Sequence, residues 1–271
     1  MDPSTDATYT LQPGTPPQPP RAPGIWSGLG MIALYFVLQL VVGVALLFVY
    51  GLVRGLLDHG VTAESVLRSM QTPDLKVGLV AATMAVLAVC MLWLVRHFWS
   101  ALWCVADPPG FGFVRPSSLH FLWIGVVIGV LDVLFGGWLT QLLAHGHKVS
   151  QDVTMMSMDA SPGMRILLAL VVVCVAPVVE EALFRGVLLS GLMRRMRAGW
   201  AIAISAIIFG SVHLPDFMNF AWYPVPALAL LGALLAWIRL RSHSLWPSIM
   251  MHAANNLVAV IGWYVMMHGQ A

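Results

Sequence analysis

Residues Gly24 to Val53 contain no Asp, Glu, Lys or Arg. A small globular domain has no interior large enough to hide such a run. As a helix it is long enough to cross the hydrocarbon core of a bilayer, which takes about 20 apolar residues. Six more apolar runs follow: Val77 to Val95, about Ser118 to Ala144, Met164 into Glu180 and Glu181, about Trp200 to Leu214, about Tyr223 to Leu240, and Leu245 to about Met267. Only 10% of the residues are charged and 59% are hydrophobic. A soluble domain carries about 25% charged residues, so this chain cannot cover a water-facing surface. A disordered chain would need the opposite balance. The pattern, with a mean hydropathy of +0.83, reads as an all-α fold: a multi-pass, polytopic transmembrane helical bundle of about seven to eight helices.

Residues 1–23 hold seven of the 17 prolines and read as a disordered Pro-rich tail. Residues 24–271 form the transmembrane helical domain. An eighth crossing follows if the fourth run breaks at Pro177. Arg194, Arg195 and Arg197 are the densest basic cluster, and Arg96, Arg115, Arg239 and Arg241 fall at the same end of a seven-span chain. The positive-inside rule puts that end in the cytoplasm, with Arg54 and Lys76 on the wrong side. A net charge of +2 offers nothing to nucleic acid. The lipid bilayer is the expected partner, with a bacterial-type plasma membrane as the expected location. Cys90, Cys104 and Cys174 have no metal-type spacing and read as small core hydrophobes.

Against this background a few polar residues stand out. Glu180 and Glu181 are two of only three glutamates and end an apolar run. A charge inside the bilayer costs about 2.5–3.5 kcal/mol even on the lenient insertion scale. Arg185 lies four residues after Glu181, on the same helix face and in the favourable order for an ion pair. Glu180 is turned away by about 100° and stays available as a base. Phe209 and His213 are four apart in the fifth run, and His252 and Asn256 four apart in the seventh, so each pair shares a helix face. At about 1.5 Å per residue, Glu180 lies about 20–25 Å from the basic turn and His213 about 20 Å from it. His252 and Asn256 lie about 10–17 Å from the start of the seventh run. One intramembrane cluster of Glu180, His213, His252 and Asn256 is therefore geometrically allowed. It suits hydrolysis: a carboxylate as general base, imidazoles that bind a metal or hold water, and an amide that donates to an oxyanion.

Three motifs lie in order on successive runs: EExxxR (Glu180 to Arg185), FxxxH (Phe209 to His213) and HxxxN (His252 to Asn256). With Ala176-Pro-Val-Val-Glu-Glu-Ala-Leu-Phe-Arg-Gly186 around the first, residues 164–260 resemble the CPBP family of CAAX prenyl endopeptidases and bacteriocin-processing enzymes, also called Abi. The resemblance implies an intramembrane glutamate-dependent endopeptidase, of a family termed metalloprotease, that hydrolyses a peptide or protein substrate in or at the membrane. It implies that Glu180 activates water, that His213 positions it, and that His252 and Asn256 form the oxyanion site. Glu181, Arg185 and Phe209 take supporting places. A divalent metal such as zinc would be held by Glu180, His213 and His252.

Two other classes use the same residues. A non-catalytic membrane scaffold, or a bacteriocin self-immunity protein, would keep the cluster as a structural polar network. A proton-coupled transporter also places carboxylates and histidines in the membrane, but no internal repeat is visible. Asp132, inside the third run, reads as a cavity wall or a helix–helix hydrogen bond. Asp216 and Asn219 read as cavity-mouth residues, and His145, His147 and Asp152 as a solvated loop. Gly125 and Gly129 have GxxxG spacing, which permits close helix packing. Trp26, Trp103, Trp200 and Trp246 read as interface anchors.

Overall fold

A computed structural model describes residues 21–57, 62–147, 149, 152–217, 219 and 221–268. Most of the proline-rich tail lies outside the described residues. The seven apolar runs fold as seven long helices: α1 (Ile25–Leu57), α3 (Pro73–Trp99), α4 (His120–Ala144), α6 (Pro162–Met193), α7 (Ala198–Val212), α8 (Val225–Ser242) and α9 (Trp246–His268). Two short helices, α2 (Ala63–Ser69) and α5 (Asp152–Met158), fill connections. Among the described residues, six helices are long and apolar enough to cross a membrane: α1, α3, α4, α6, α7 and α8. The chain is a multi-pass helical membrane protein, and no strand occurs among the described residues. Large apolar side chains such as Leu40, Phe48, Trp123 and Val127 face outward, as a lipid-facing surface requires.

The centre of the bundle is α6. Every residue from Glu181 to Leu192 is buried. This helix does not break at Pro177 into two crossings. It stays continuous because the chain changes register twice, through π-helical stretches at Val171–Val175 and Ala182–Leu188. The N–H that Pro177 lacks falls at a point where the ladder already shifts.

Close approach between helices comes from glycines. A Cβ at Gly125 would lie 2.6 Å from the Pro247 carbonyl oxygen, and one at Gly129 would fall against the Met251 carbonyl oxygen. The GxxxG spacing of α4 therefore seats the very turn of α9 that carries His252. The start of α1 is fixed in the same way: a Cβ at Gly28 would lie 2.7 Å from the Leu188 Cα, and one at Gly191 would lie 2.6 Å from the Gly24 carbonyl. Arg194 Nη1 donates to the Ala22 and Pro23 carbonyls, both at 3.0 Å. The last residues expected in the disordered tail are thus held against α6.

Two other expectations change. Arg239 is not a surface topology marker. It is fully buried and donates to the Ala106 and Gly110 carbonyls (2.7 and 2.9 Å), which fastens the loop before α4 onto α8. Gly112 lies against this guanidinium with φ +76, where only glycine fits without strain. Nor are the cysteines core residues: Cys104 and Cys174 are exposed and Cys90 is half-buried. In a bundle surrounded by lipid, an outward-facing small apolar side chain has no need of a core.

Candidate active site

The EExxxR segment divides its two carboxylates as the helical spacing predicts. Glu181 is fully buried and pairs with Arg185 (Nη1 to Oε1, 2.8 Å). It also accepts from the Ser248 hydroxyl and from His252 Nδ1 (3.0 Å). Arg185 donates a second bond to the Gly232 carbonyl (3.0 Å) and lies over the Phe209 ring, 4.4 Å from its centroid. Each of these two buried, opposite charges has further partners that offset much of the cost of leaving water, although Arg185 Nε has no hydrogen-bond partner in the protein.

Glu180 faces elsewhere. Its Oε2 has no hydrogen-bond partner in the protein. It stands 3.8 Å from His213 Nε2 and 3.8 Å from His252 Nε2. The outer ring nitrogens of both histidines explain that convergence. His213 Nδ1 meets the Phe209 carbonyl oxygen at 2.7 Å, and His252 Nδ1 meets the Glu181 carboxylate. Both partners only accept, so each Nδ1 carries the hydrogen and each neutral ring turns the lone pair of Nε2 toward Glu180. When either ring takes a second proton, the same Nε2 becomes a donor. The FxxxH motif thus works through its backbone, with the Phe209 ring packed beside His213 and His252 as well (centroids 4.7 and 5.7 Å).

Asn256 is placed by the π register. Within Val171–Val175 the N–H of Ala176 bonds to the Val171 carbonyl, five residues back. One step on, the Val172 carbonyl would need the N–H of residue 177, which is proline. Asn256 Nδ2 supplies the missing donor at 2.9 Å. One amide hydrogen is thereby committed to α6, and the second remains for a ligand.

Glu180, His213, His252 and Asn256 all line one cavity of about 240 Å³, together with Tyr35, Asp216 and the apolar residues Phe36, Met84 and Trp263. The structure therefore brings the four predicted site residues together, with Glu181, Arg185 and Phe209 behind them. Asp216 is at the cavity as expected; Asn219 is not among its lining residues. Among the described residues, no group of three or more His, Cys, Asp or Glu side chains is disposed to hold a metal ion. The donor types of Glu180, His213 and His252 suit zinc, but their arrangement does not form such a set. Sequence reasoning missed Ser248 and Asn255. Ser248 sits one turn before His252, a spacing that was available to read. Asn255 donates to Asp132 Oδ2 (3.1 Å) and the Gly129 carbonyl (3.3 Å), a contact with a helix 123 residues away that no local spacing reveals.

Residues 162–258 match the family model described as type II CAAX prenyl endopeptidase, Rce1-like. Over these residues the chain is similar to that family. The matched segment runs from the start of α6 to the middle of α9 and contains all three motifs. The family's own description is that of an endopeptidase, so a peptide-bond hydrolase is the general activity of the class. No curated protein and no solved structure matches the chain.

Proposed function

We propose that the protein is an intramembrane endopeptidase in which Glu180 activates water for attack on a peptide bond of a membrane-associated substrate. The observation that carries this reading is the unpartnered Glu180 Oε2, 3.8 Å from two imidazole nitrogens in one cavity. A carboxylate in that position takes a proton from a water molecule held by His213 Nε2. The hydroxide adds to the carbonyl carbon, and the proton passes from Glu180 to the leaving amine nitrogen. When His252 takes a second proton, its Nε2–H donates to the oxyanion while Nδ1–H stays on Glu181. The free amide hydrogen of Asn256 adds a second donor. Glu181 and Arg185 are positioning residues that set the tautomer and angle of His252.

The test is cleavage of membrane-anchored peptides, prenylated and unprenylated, by purified protein in liposomes. Glu180→Gln keeps the shape of the side chain and removes the base. Turnover should fall by about 10²–10⁴-fold, the usual contribution of a general base. Undiminished cleavage by this variant refutes the assignment.

A further inference from the structure

A second cavity of about 480 Å³ lies against the first. Leu228, Leu231, Asn255 and Ala259 line both. Its far wall is a stripe of α4. Asp132, Gly136 and Thr140 follow one another at four-residue steps toward Ala144, with Gly137 and Gln141 beside them. At about 1.5 Å per residue this stripe runs about 18 Å from the helix end inward. It is the small and polar side of a helix whose other faces, at Leu131, Phe135 and Trp138, are exposed and apolar. At the inner end Asp132 is 93% buried (7% exposed). Its Oδ2 accepts from Asn255 and its Oδ1 has no partner in the protein. At the outer end His147 stacks on Tyr223 and lines the opening with Phe217.

We infer that the second cavity is the route by which water reaches Glu180, with Asp132 and Asn255 as its inner polar threshold. The inference rests on the proposed hydrolysis, which consumes one water per bond. The first cavity presents Ile32, Phe36, Val80 and Met84 on its α1 and α3 side, with Tyr35 and Gln39 among them, a surface suited to a largely apolar peptide segment. The second offers a carboxylate oxygen and an amide along a lined path, the groups that ordered water needs. Substrate and water then arrive from different sides of α9.

The test uses full-length protein in liposomes, with Cys90, Cys104 and Cys174 replaced by serine or alanine. Thr140→Cys should react with a charged, membrane-impermeant thiol reagent, while Trp138→Cys on the lipid face should not. Gly137 lines this cavity and has nothing within 4 Å of an added Cβ, so Gly137→Leu introduces a bulky side chain from a point with open space. It should lower kcat by about tenfold and leave KM unchanged, for basic and neutral peptides alike. Failure of Thr140→Cys to react overturns the inference. Unchanged kcat in Gly137→Leu also overturns it. A loss confined to peptides with a basic residue would instead make the cavity a cation subsite, and the inference is wrong. Labelling needs no catalysis, so an active Glu180→Gln would refute the hydrolytic reading while the labelling result still reports whether the cavity is wet.

Discussion

The contact between Asn256 and the Val172 carbonyl can be separated from any catalytic role of the same amide. Asn256→Ala leaves that carbonyl without a donor. Because the bond is 2.9 Å long and part-buried, the loss should be near the lower end of the range of about 1–3 kcal/mol for an orphaned buried acceptor. Hydrogen bonds between membrane helices average about 0.6 kcal/mol, with a maximum of about 1.7 kcal/mol. A cost of about 1 kcal/mol follows, or a drop in Tm of about 2–4 °C for a chain of this size. Pro177→Ala restores a backbone N–H at the position from which the π register reaches Val172. In the double variant the helix satisfies its own carbonyl, so Asn256→Ala should cost almost nothing there. Activity should behave differently: the double variant should regain stability but stay slow, because the proposed oxyanion donor is still missing. Thermal unfolding in detergent and peptide cleavage, measured on all four proteins, give the cycle. Additive stability losses would refute the claim that Asn256 substitutes for the missing proline N–H. Recovered activity in the double variant would refute the oxyanion role.

Two further outcomes follow from the packing. Arg185→Met leaves Glu181 buried without its cation and should cost about 3–5 kcal/mol, whereas Arg185→Met with Glu181→Gln should cost clearly less; denaturation of both variants checks the difference, and equal losses would contradict the pairing. Gly129→Ala drives a methyl group into the Met251 carbonyl and should destabilise the α4–α9 contact by about 1–3 kcal/mol. Gly137→Ala, with open space around it, should be neutral or stabilising by about 0.5–1 kcal/mol; a Tm comparison of the two glycines decides.

Much of the site was legible because helical rise is a fixed length. Counting back from the basic turn placed Glu180 and His213 at one level, and the structure has them 3.8 Å apart. The division of labour between Glu180 and Glu181 was legible for the same reason, since adjacent residues on a helix point about 100° apart. Asn256 shows where such counting stops. A helical wheel assumes one period, and the π stretches of α6 shift the ladder by a residue without any unusual composition beyond Pro177. Arg239 illustrates a different limit. At the end of an apolar run it looks like any surface arginine, and its burial depends on carbonyls at Ala106 and Gly110, more than a hundred residues away. Asp132 stands out in its apolar run, but its partner Asn255 and the cavity they share arise only from the docking of α4 on α9.

The anchoring of α1 has a consequence for how the chain is assembled. Gly24, Gly28 and the Ala22 and Pro23 carbonyls all dock on α6, and the contacts to Arg194 close loops of 171 and 172 residues. Synthesis proceeds from the N-terminus, so α1 is in the membrane long before its docking surface has been translated. With only Gly28, Met31 and Ile32 of α1 buried, α1 can rest on its neighbour α3 early but meets the α6 surface that fixes its start only late. Defects at Gly28 or Gly191 would then surface as failures of biogenesis, with α1 inserted but not docked on α6 and exposed to membrane quality control.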